Sequence, residues 1–478
     1  MKLPRLPSLT RPPKAESPRR PFPSFFLLTL FFILPAAVHA QWEPDRKLST
    51  TDSSAHTNEN MARCLVACGD TLHAVWYDAQ NNGSAIYYKR SSDRGTTWGA
   101  DTRISGIPGN ADFPSLAQSG STLHLVWRDS RGGQYASYYK RSLDGGRTWG
   151  PDVFLGNEHW WPSVAAVGPM VFVALNDNLD STNSEVFFRR STDNGTSWEP
   201  AQQISNAVGR SEDPCISAGG SCVHIAWNEF RDGNCEVYTR RSPDQGVTWG
   251  PETRLTYAPN HSYSPDIVVS DSIVDVAWED RRSGDFDIYR IRSTDLGLTW
   301  GTEQRLTSDT SNSAYPSFVL SGSNIHMVWF NFGGGIFYLR STNNGASWDP
   351  AVRLVSGASS PGMPFIAFSG PVLHIIWTDQ RDGHGAIYYK RNLTGNSGVE
   401  VFPSTSSRLT PYEVFPNPFT SFAALPGHEK EAFSLYDISG RKVGAYRGDR
   451  VGEGLSPGVY FLRAEGKVSK PLRIVKVR

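Results

Sequence analysis

Three carboxylates stand just ahead of a proline in segments of like pattern, Asp112-Phe-Pro114 and Glu212-Asp213-Pro214. A carboxyl group that donates a proton, opposite a second that acts as base or nucleophile, is what hydrolysis of a glycosidic bond requires. Asp112, Glu212 and Asp213 are therefore candidate acids, although nothing in the sequence marks any of them as perturbed. Large rings fill the same slots elsewhere: Phe113, Trp160 with Trp161, Tyr263 and Tyr315. Rings on open loops suit stacking against the apolar faces of sugars, with polar neighbours fixing the hydroxyls. The competing reading is that they plug a central channel. In the earliest of these segments, Met61-Ala-Arg63-Cys64, an arginine replaces the proline.

The elements that position these residues follow from a repeat. The octapeptide Ser-x-Asp-x-Gly-x-Thr/Ser-Trp occurs six times, with Asp93, Asp144, Asp193, Asp244, Asp295 and, as a variant, Asn343 at its third position. Successive tryptophans are 51, 49, 51, 51 and 48 residues apart. A period of this size means one supersecondary unit copied many times. Each unit holds short runs rich in β-branched and aromatic residues, bounded by Gly, Asn, Asp or Ser. Leu123-His-Leu-Val-Trp127 and Tyr135 to Ser142 are two such runs. Four short strands per unit, set radially, describe the blade of an all-β propeller. The strand centred on Trp76, Trp127, Leu175, Trp227, Trp278, Trp329 and Trp377 recurs seven times, which favours seven blades over six. Arg46-Lys-Leu-Ser49 matches Arg103-Ile-Ser105 and is expected to complete the last blade, closing the ring. The octapeptide should join third and fourth strands, its Asp accepting backbone N–H groups and its Gly supplying a positive φ. One carboxylate per loop is too few ligands for calcium.

The octapeptide resembles the Asp-box, or BNR, repeat of the sialidase superfamily, over about residues 46 to 396. The resemblance implies that the boxes lie on the face opposite the active site. The working face would then carry the entry loops and the turns pairing Asp129 with Arg131, Glu229 with Arg231, Asp280 with Arg281 or Arg282, and Asp379 with Arg381. Those charges either grip a glycan or form salt bridges within or between blades, and the second is favoured because four units repeat them in equivalent turns. By the same logic His73, His124, His224, His326 and His374 read as architectural. Sialidases place an early arginine on the substrate carboxylate. Arg63 stands at a comparable point, but the Arg-Ile-Pro motif is absent, and neither the other two arginines nor a Tyr–Glu nucleophile pair can be picked out.

The ends are different. Six basic residues precede the apolar run Phe25 to Val38, and Val38-His-Ala40 fits a cleavage site, so residues 1–40 read as a signal peptide. Residues 397–411 read as a linker. Residues 412–478 form a second module of short apolar runs around Gly-rich turns, expected to be a small β-sandwich. Its blocks Phe415-Pro-Asn417-Pro418, Leu435-Tyr-Asp437-Ile-Ser-Gly440-Arg441 and Gly458-Val-Tyr460-Phe-Leu-Arg463 resemble the type A sorting domain of type IX secretion. That implies the type IX machinery as a partner and delivery to the outer-membrane surface or beyond.

A formal charge of zero hides a split: +5 in residues 1–40, −9 in 41–410 and +4 in 411–478. An acidic propeller argues against nucleic acid as partner. There is no CxxC and no His pair at ligand spacing, so no metal or other cofactor is expected. Cys215 and Cys222 flank Gly219-Gly220 and could form a disulfide, while Cys64 and Cys68 lie too far apart along one strand. Two functions are expected from these features. The first is an exported, monomeric propeller that binds a glycan or surface protein through its axial face; the second is a divergent exo-sialidase or related glycoside hydrolase.

Overall fold

The computed structural model describes residues 42–395 and 421–476, apart from 52, 59–60, 81–82, 107–108, 158, 179–182, 309, 357–359, 426–429, 438–440 and 466–471. The leader, the linker and the Phe415–Pro418 block expected from the sequence lie outside the described residues. The chain divides into two compact units, Met1–Glu400 and Val401–Arg478. Every element among the described residues is a strand.

In the first unit the repeat becomes a meander of four antiparallel strands. In blade two these are Ala111–Ser119, Thr122–Asp129, Ala136–Ser142 and Val153–Asn157, hydrogen-bonded in that order. Seven such sheets are present among the described residues, and blade one carries an extra strand, Ser54–His56. Their inner strands neighbour one another in a closed circuit: Leu65–Cys68, Ala111–Ser119, His159–Val167, Ser211–Gly219, Ser262–Ser270, Ser313–Ser321, Gly362–Ser369 and back to Leu65–Cys68. The early strand Arg46–Lys47 pairs with Ala386–Asn392, Arg46 opposite Tyr389, and so supplies the outer strand of the last blade.

Period-two alternation on the second strand buries one face against each neighbouring blade. Trp76, Trp127, Trp227, Trp278, Trp329 and Trp377 are essentially fully buried. Each indole removes on the order of 200 Å² from water, about 5 kcal/mol as an upper bound. The repeated histidines are buried behind them, and all but His224 donate to or accept from a strand-three tyrosine, as in His73–Tyr88 at 2.6 Å and His124–Tyr139 at 2.7 Å. Burial pushes His73 down to about 3 and His124 to about 4, so both are neutral structural groups at ordinary pH.

The octapeptide joins third and fourth strands as expected. In the fourth box the Ser242 hydroxyl donates to Asp244 at 2.8 Å, and the Thr248 N–H and hydroxyl donate to the same carboxylate at 2.8 and 2.6 Å. The bond from the Thr248 hydroxyl, then that from its N–H, hold the Asp244 carboxyl down at about 2. The box glycine does two jobs. Its φ is positive, +75° at Gly95, and a Cβ there would fall inside the Tyr389 hydroxyl of the preceding blade. Tyr88 meets Gly146 and Tyr139 meets Gly195 in the same way. The glycine is thus an inter-blade contact as well as a turn residue.

The disulfide that Cys215 and Cys222 could form is not made; both thiols are free and buried. In the hairpin, Cys222 stands opposite Gly219 while Cys215 stands opposite Ala226. A four-residue offset separates them by roughly 13 Å along the strands, beyond bridging distance. In the second unit, Ala432–Asp437, Lys442–Arg447, Gly458–Ala464 and Leu472–Lys476 form one antiparallel sheet. Ala423 and Val451 bridge each other and, with Leu425, pack with Phe433, Leu435, Leu462 and Ile474 into its core.

Candidate ligand-binding face

Strand direction sorts the loops. The hairpin between first and second strands and, in the six blades that have one, the box between third and fourth lie at the same end, and backbone bonds such as Arg94 N–H to Asp70 O and Gly145 N–H to Ser121 O join them. The entry loop and the turn between second and third strands lie at the other end. Every candidate aromatic and acid from the sequence lies at this second end.

Entry into six of the seven inner strands is made by a β-bulge. The register slips between Asp112 and Ser115, Trp160 and Ser163, Glu212 and Cys215, Tyr263 and Asp266, Ala314 and Ser317, and Gly362 and Phe365. Proline is tolerated there because the bulge leaves its missing N–H out of the ladder. The residue ahead of it takes a left-handed conformation: Phe113 at 49°, Trp161 at 46°, Asp213 at 52°, Ser264 at 53°, Tyr315 at 54° and Met363 at 51°. Each costs roughly 1–3 kcal/mol. Because the strain recurs in six blades it belongs to the architecture, and what varies is the side chain it presents.

Across blades two and three these side chains form one cluster. Phe113 and Trp161 meet edge to face at 6.4 Å, Trp160 and Trp161 at 6.1 Å, and Tyr135 and Trp160 at 4.9 Å between centroids. The Arg128 guanidinium lies over Tyr135 at 4.2 Å, Trp160 at 4.4 Å and Phe113 at 4.5 Å. Its Nε and Nη2 donate to Asp112 at 2.7 and 2.6 Å, leaving Nη1 without a protein partner among the described residues. Burial pushes the Asp112 carboxyl up, and the bonds from Arg128 pull it back.

Blades four and five carry the other acids. Burial pushes Glu279 up to about 7, against the Ser264 hydroxyl, which donates at 2.8 Å, and the Tyr315 N–H. Burial also raises Glu212, opposed by Arg210, whose Nη1 stands 3.4 Å away. Asp213 accepts from Asn228 Nδ2 at 2.8 Å. Tyr263 stacks on His261 at 5.2 Å and lies beside Phe230 and Phe286, so it belongs to a second aromatic group, apart from the Phe113–Trp161 cluster. Tyr315 contributes its backbone to Glu279 and is half-buried. Arg63 points across the axis: its Nη2 lies 3.4 Å from Ile267 O of blade five, and its charge opposes the burial that raises Asp266 to about 6.

The turn charges pair within the repeat. Arg131 Nη2 meets Asp129 at 2.5 Å, and Arg231 Nη2 meets Glu229, Arg282 Nη2 meets Asp280 at 2.6 Å each. Each arginine also clips an acid ahead of or on the outer strand, Asp152, Glu252 at 2.7 Å and Glu303. The acids accept the buried indole N–H as well, as Asp280 does from Trp278 at 2.9 Å. These are structural clips.

Sequence reasoning missed Arg128, Glu279 and Asn228. All stand directly after the strand-two tryptophan, a slot occupied by Tyr77, Arg128, Asn176, Asn228, Glu279, Phe330 and Thr378 around the ring. Its neighbours on both sides repeat and it does not, which is the signal that was there to be found. Among the described residues no group of three or more His, Cys, Asp or Glu is placed to hold a metal ion.

The BNR repeat-like domain model matches residues 33–276. The chain belongs to that family. Among solved structures this BNR propeller is similar to the polysaccharide lyase Uly1, with 11% identity and a TM-score of 0.51 over 74% of this chain and 99% of that one. A PL25 ulvan lyase gives 11% and 0.51 over 72% and 95%. A protein of unknown function from Dyadobacter fermentans gives 14% and 0.49 over 73% and 98%. At these identities the likeness is one of fold. No curated protein matches the chain.

Proposed function

We propose that this BNR propeller is an exported surface or secreted protein that binds a glycan through the aromatic cluster of its axial face. The observation that carries the reading is Arg128, held among Tyr135, Trp160 and Phe113 and oriented by Asp112. Rings that were packing filler would enclose apolar contacts; Phe113 and Trp160 are half-buried, Tyr135 is exposed, and they surround a guanidinium with a donor to spare. Stacking surface beside a fixed polar group is the arrangement that sugar recognition uses. The likeness to polysaccharide lyases agrees with a carbohydrate ligand. Export and the type IX route rest on the leader and on the sorting-domain blocks of the sequence, and a monomer is expected.

A second reading, catalysis on the bound glycan, is favoured by Glu279 and Glu212. Both are carboxyls pushed toward the protonated form at the same end of the propeller as the aromatic cluster. Release of a fluorophore from a sialoside by the full chain, beside Arg63→Ala, separates the two. Turnover that disappears in the variant would overturn the non-catalytic reading. No turnover from mildly acidic to neutral pH leaves binding in place.

A further inference from the structure

The repeat is broken in three coordinated ways at one place on the box face. In blades one, two, six and seven a buried strand-two histidine meets a strand-three tyrosine: His73–Tyr88, His124–Tyr139, His326–Tyr338 and His374–Tyr389, at 2.6 to 2.8 Å. In blade five the histidine slot holds Asp275 and the tyrosine slot holds Arg290, whose Nε donates to Asp275 at 2.8 Å. Arg290 then lies under the next box glycine, Gly345, where Tyr88 lies under Gly146. That next box is the one that carries Asn343 where the other five carry an aspartate.

The three changes alter the charge. Arg292 shares the same carboxylate, with its Nε 3.0 Å from Asp275 Oδ1. Two guanidiniums therefore face one acid, which is fully buried. Three of the other boxes set a carboxylate close enough to act on the tyrosine of the preceding blade, Asp144 on Tyr88, Asp193 on Tyr139 and Asp93 on Tyr389. Asn343 keeps the turn, accepting from the Ser341 hydroxyl and the Ser347 N–H at 2.9 Å each, but brings no charge. Glu303 also stands in the wall, its Oε2 held by Arg282, which it shares with Asp280. What remains is a cavity of about 440 Å³ whose walls include Arg290, Arg292, Thr294, Gln304 and Asn343.

We propose that this cavity is a second binding site, on the face away from the aromatic cluster, for an oxyanion group: a carboxylate, a sulfate or a phosphate. An anion there takes up guanidinium N–H groups that Asp275, Gln304 Oε1 at 3.2 Å from Arg290 Nη1, and Asn344 O at 2.8 Å from Arg292 Nη1 leave over. Thr294 and Asn343 add neutral polar groups at the wall.

Calorimetric titration of the full chain with sodium acetate, sodium sulfate and sodium phosphate, at ionic strength matched with sodium chloride, tests this. The arms tell the three oxyanion classes apart. The expected result is saturable binding of at least one of them. Asn343→Asp, which installs the residue the other five boxes carry, should weaken it by about tenfold or more. Gln304→Glu is the second variant, placing a carboxylate at Arg290 by another route, and should act alike. Binding no tighter than that of chloride, or binding unchanged in both variants, overturns the site.

Discussion

Arg128 and Asp112 form a two-point pair, Nε to Oδ1 at 2.7 Å and Nη2 to Oδ2 at 2.6 Å, between strands that face each other across a β-bulge. The pair fixes the guanidinium plane against Tyr135, Trp160 and Phe113. A lysine cannot reproduce either the fork or the stack. Arg128→Lys is expected to weaken glycan binding about tenfold while the melting temperature stays near that of the parent. Asp112→Asn, which breaks a largely buried charged pair, should also cost about 2 kcal/mol of stability, measurable in urea unfolding. Equal binding by the lysine variant would mean that the guanidinium geometry is irrelevant.

Glu279 gives a pH prediction with a defined sign. Its folded pKa, raised to about 7 by burial, lies above its unfolded value near 4.5. Between those values the folded protein holds a proton that the unfolded chain has lost, so stability falls as pH rises from about 4.5 to 7 and then levels. The full span is on the order of 3 kcal/mol. Melting temperature against pH should show this decline, and Glu279→Gln should flatten it. An unchanged slope in the variant would assign the decline to another group, of which Asp266, raised to about 6, is the nearest in kind.

Closure of the ring is testable at Gly95. A side chain there meets both a φ of +75° and the Tyr389 hydroxyl of the last blade. Gly95→Ala should therefore cost about 1–2 kcal/mol for the conformation and about 1–3 kcal/mol more for overpacking. Gly132→Ala, where nothing lies within 4 Å, should stay within about 0.5 kcal/mol of the parent. Comparable stability of the two variants in chemical denaturation would mean that Tyr389 does not seal the seam.

Much of the fold was legible in the sequence because each blade states the pattern again. Trp127 and Asp129 could be recognised as architecture because Trp227 and Glu229, Trp278 and Asp280, and Trp377 and Asp379 repeat them. The aromatic rim was legible in part, since Phe113 and Trp161 stand out beside Ser264 and Met363 in the same slot. Their partner Arg128 was not, because a lone arginine on a strand looks solvated until the register places it opposite Asp112. Tyr263 was grouped with the tryptophans by its slot, yet it packs on His261, since neighbours across blades depend on loop geometry that alternation does not encode. The Cys215–Cys222 bridge failed for a related reason: flanking one turn is not the same as standing opposite in register.

The central claim is that the aromatic cluster is a sugar platform. The most direct measurement is retention of the full chain on a panel of immobilised neutral, acidic and sulfated glycans, with wild type beside Trp160→Ala/Trp161→Ala. The account predicts that wild type is retained on at least one class, and that the double variant loses retention while keeping its melting temperature within a few degrees of the parent. Retention unchanged in a folded double variant, or no retention of wild type on any member of the panel, would contradict it.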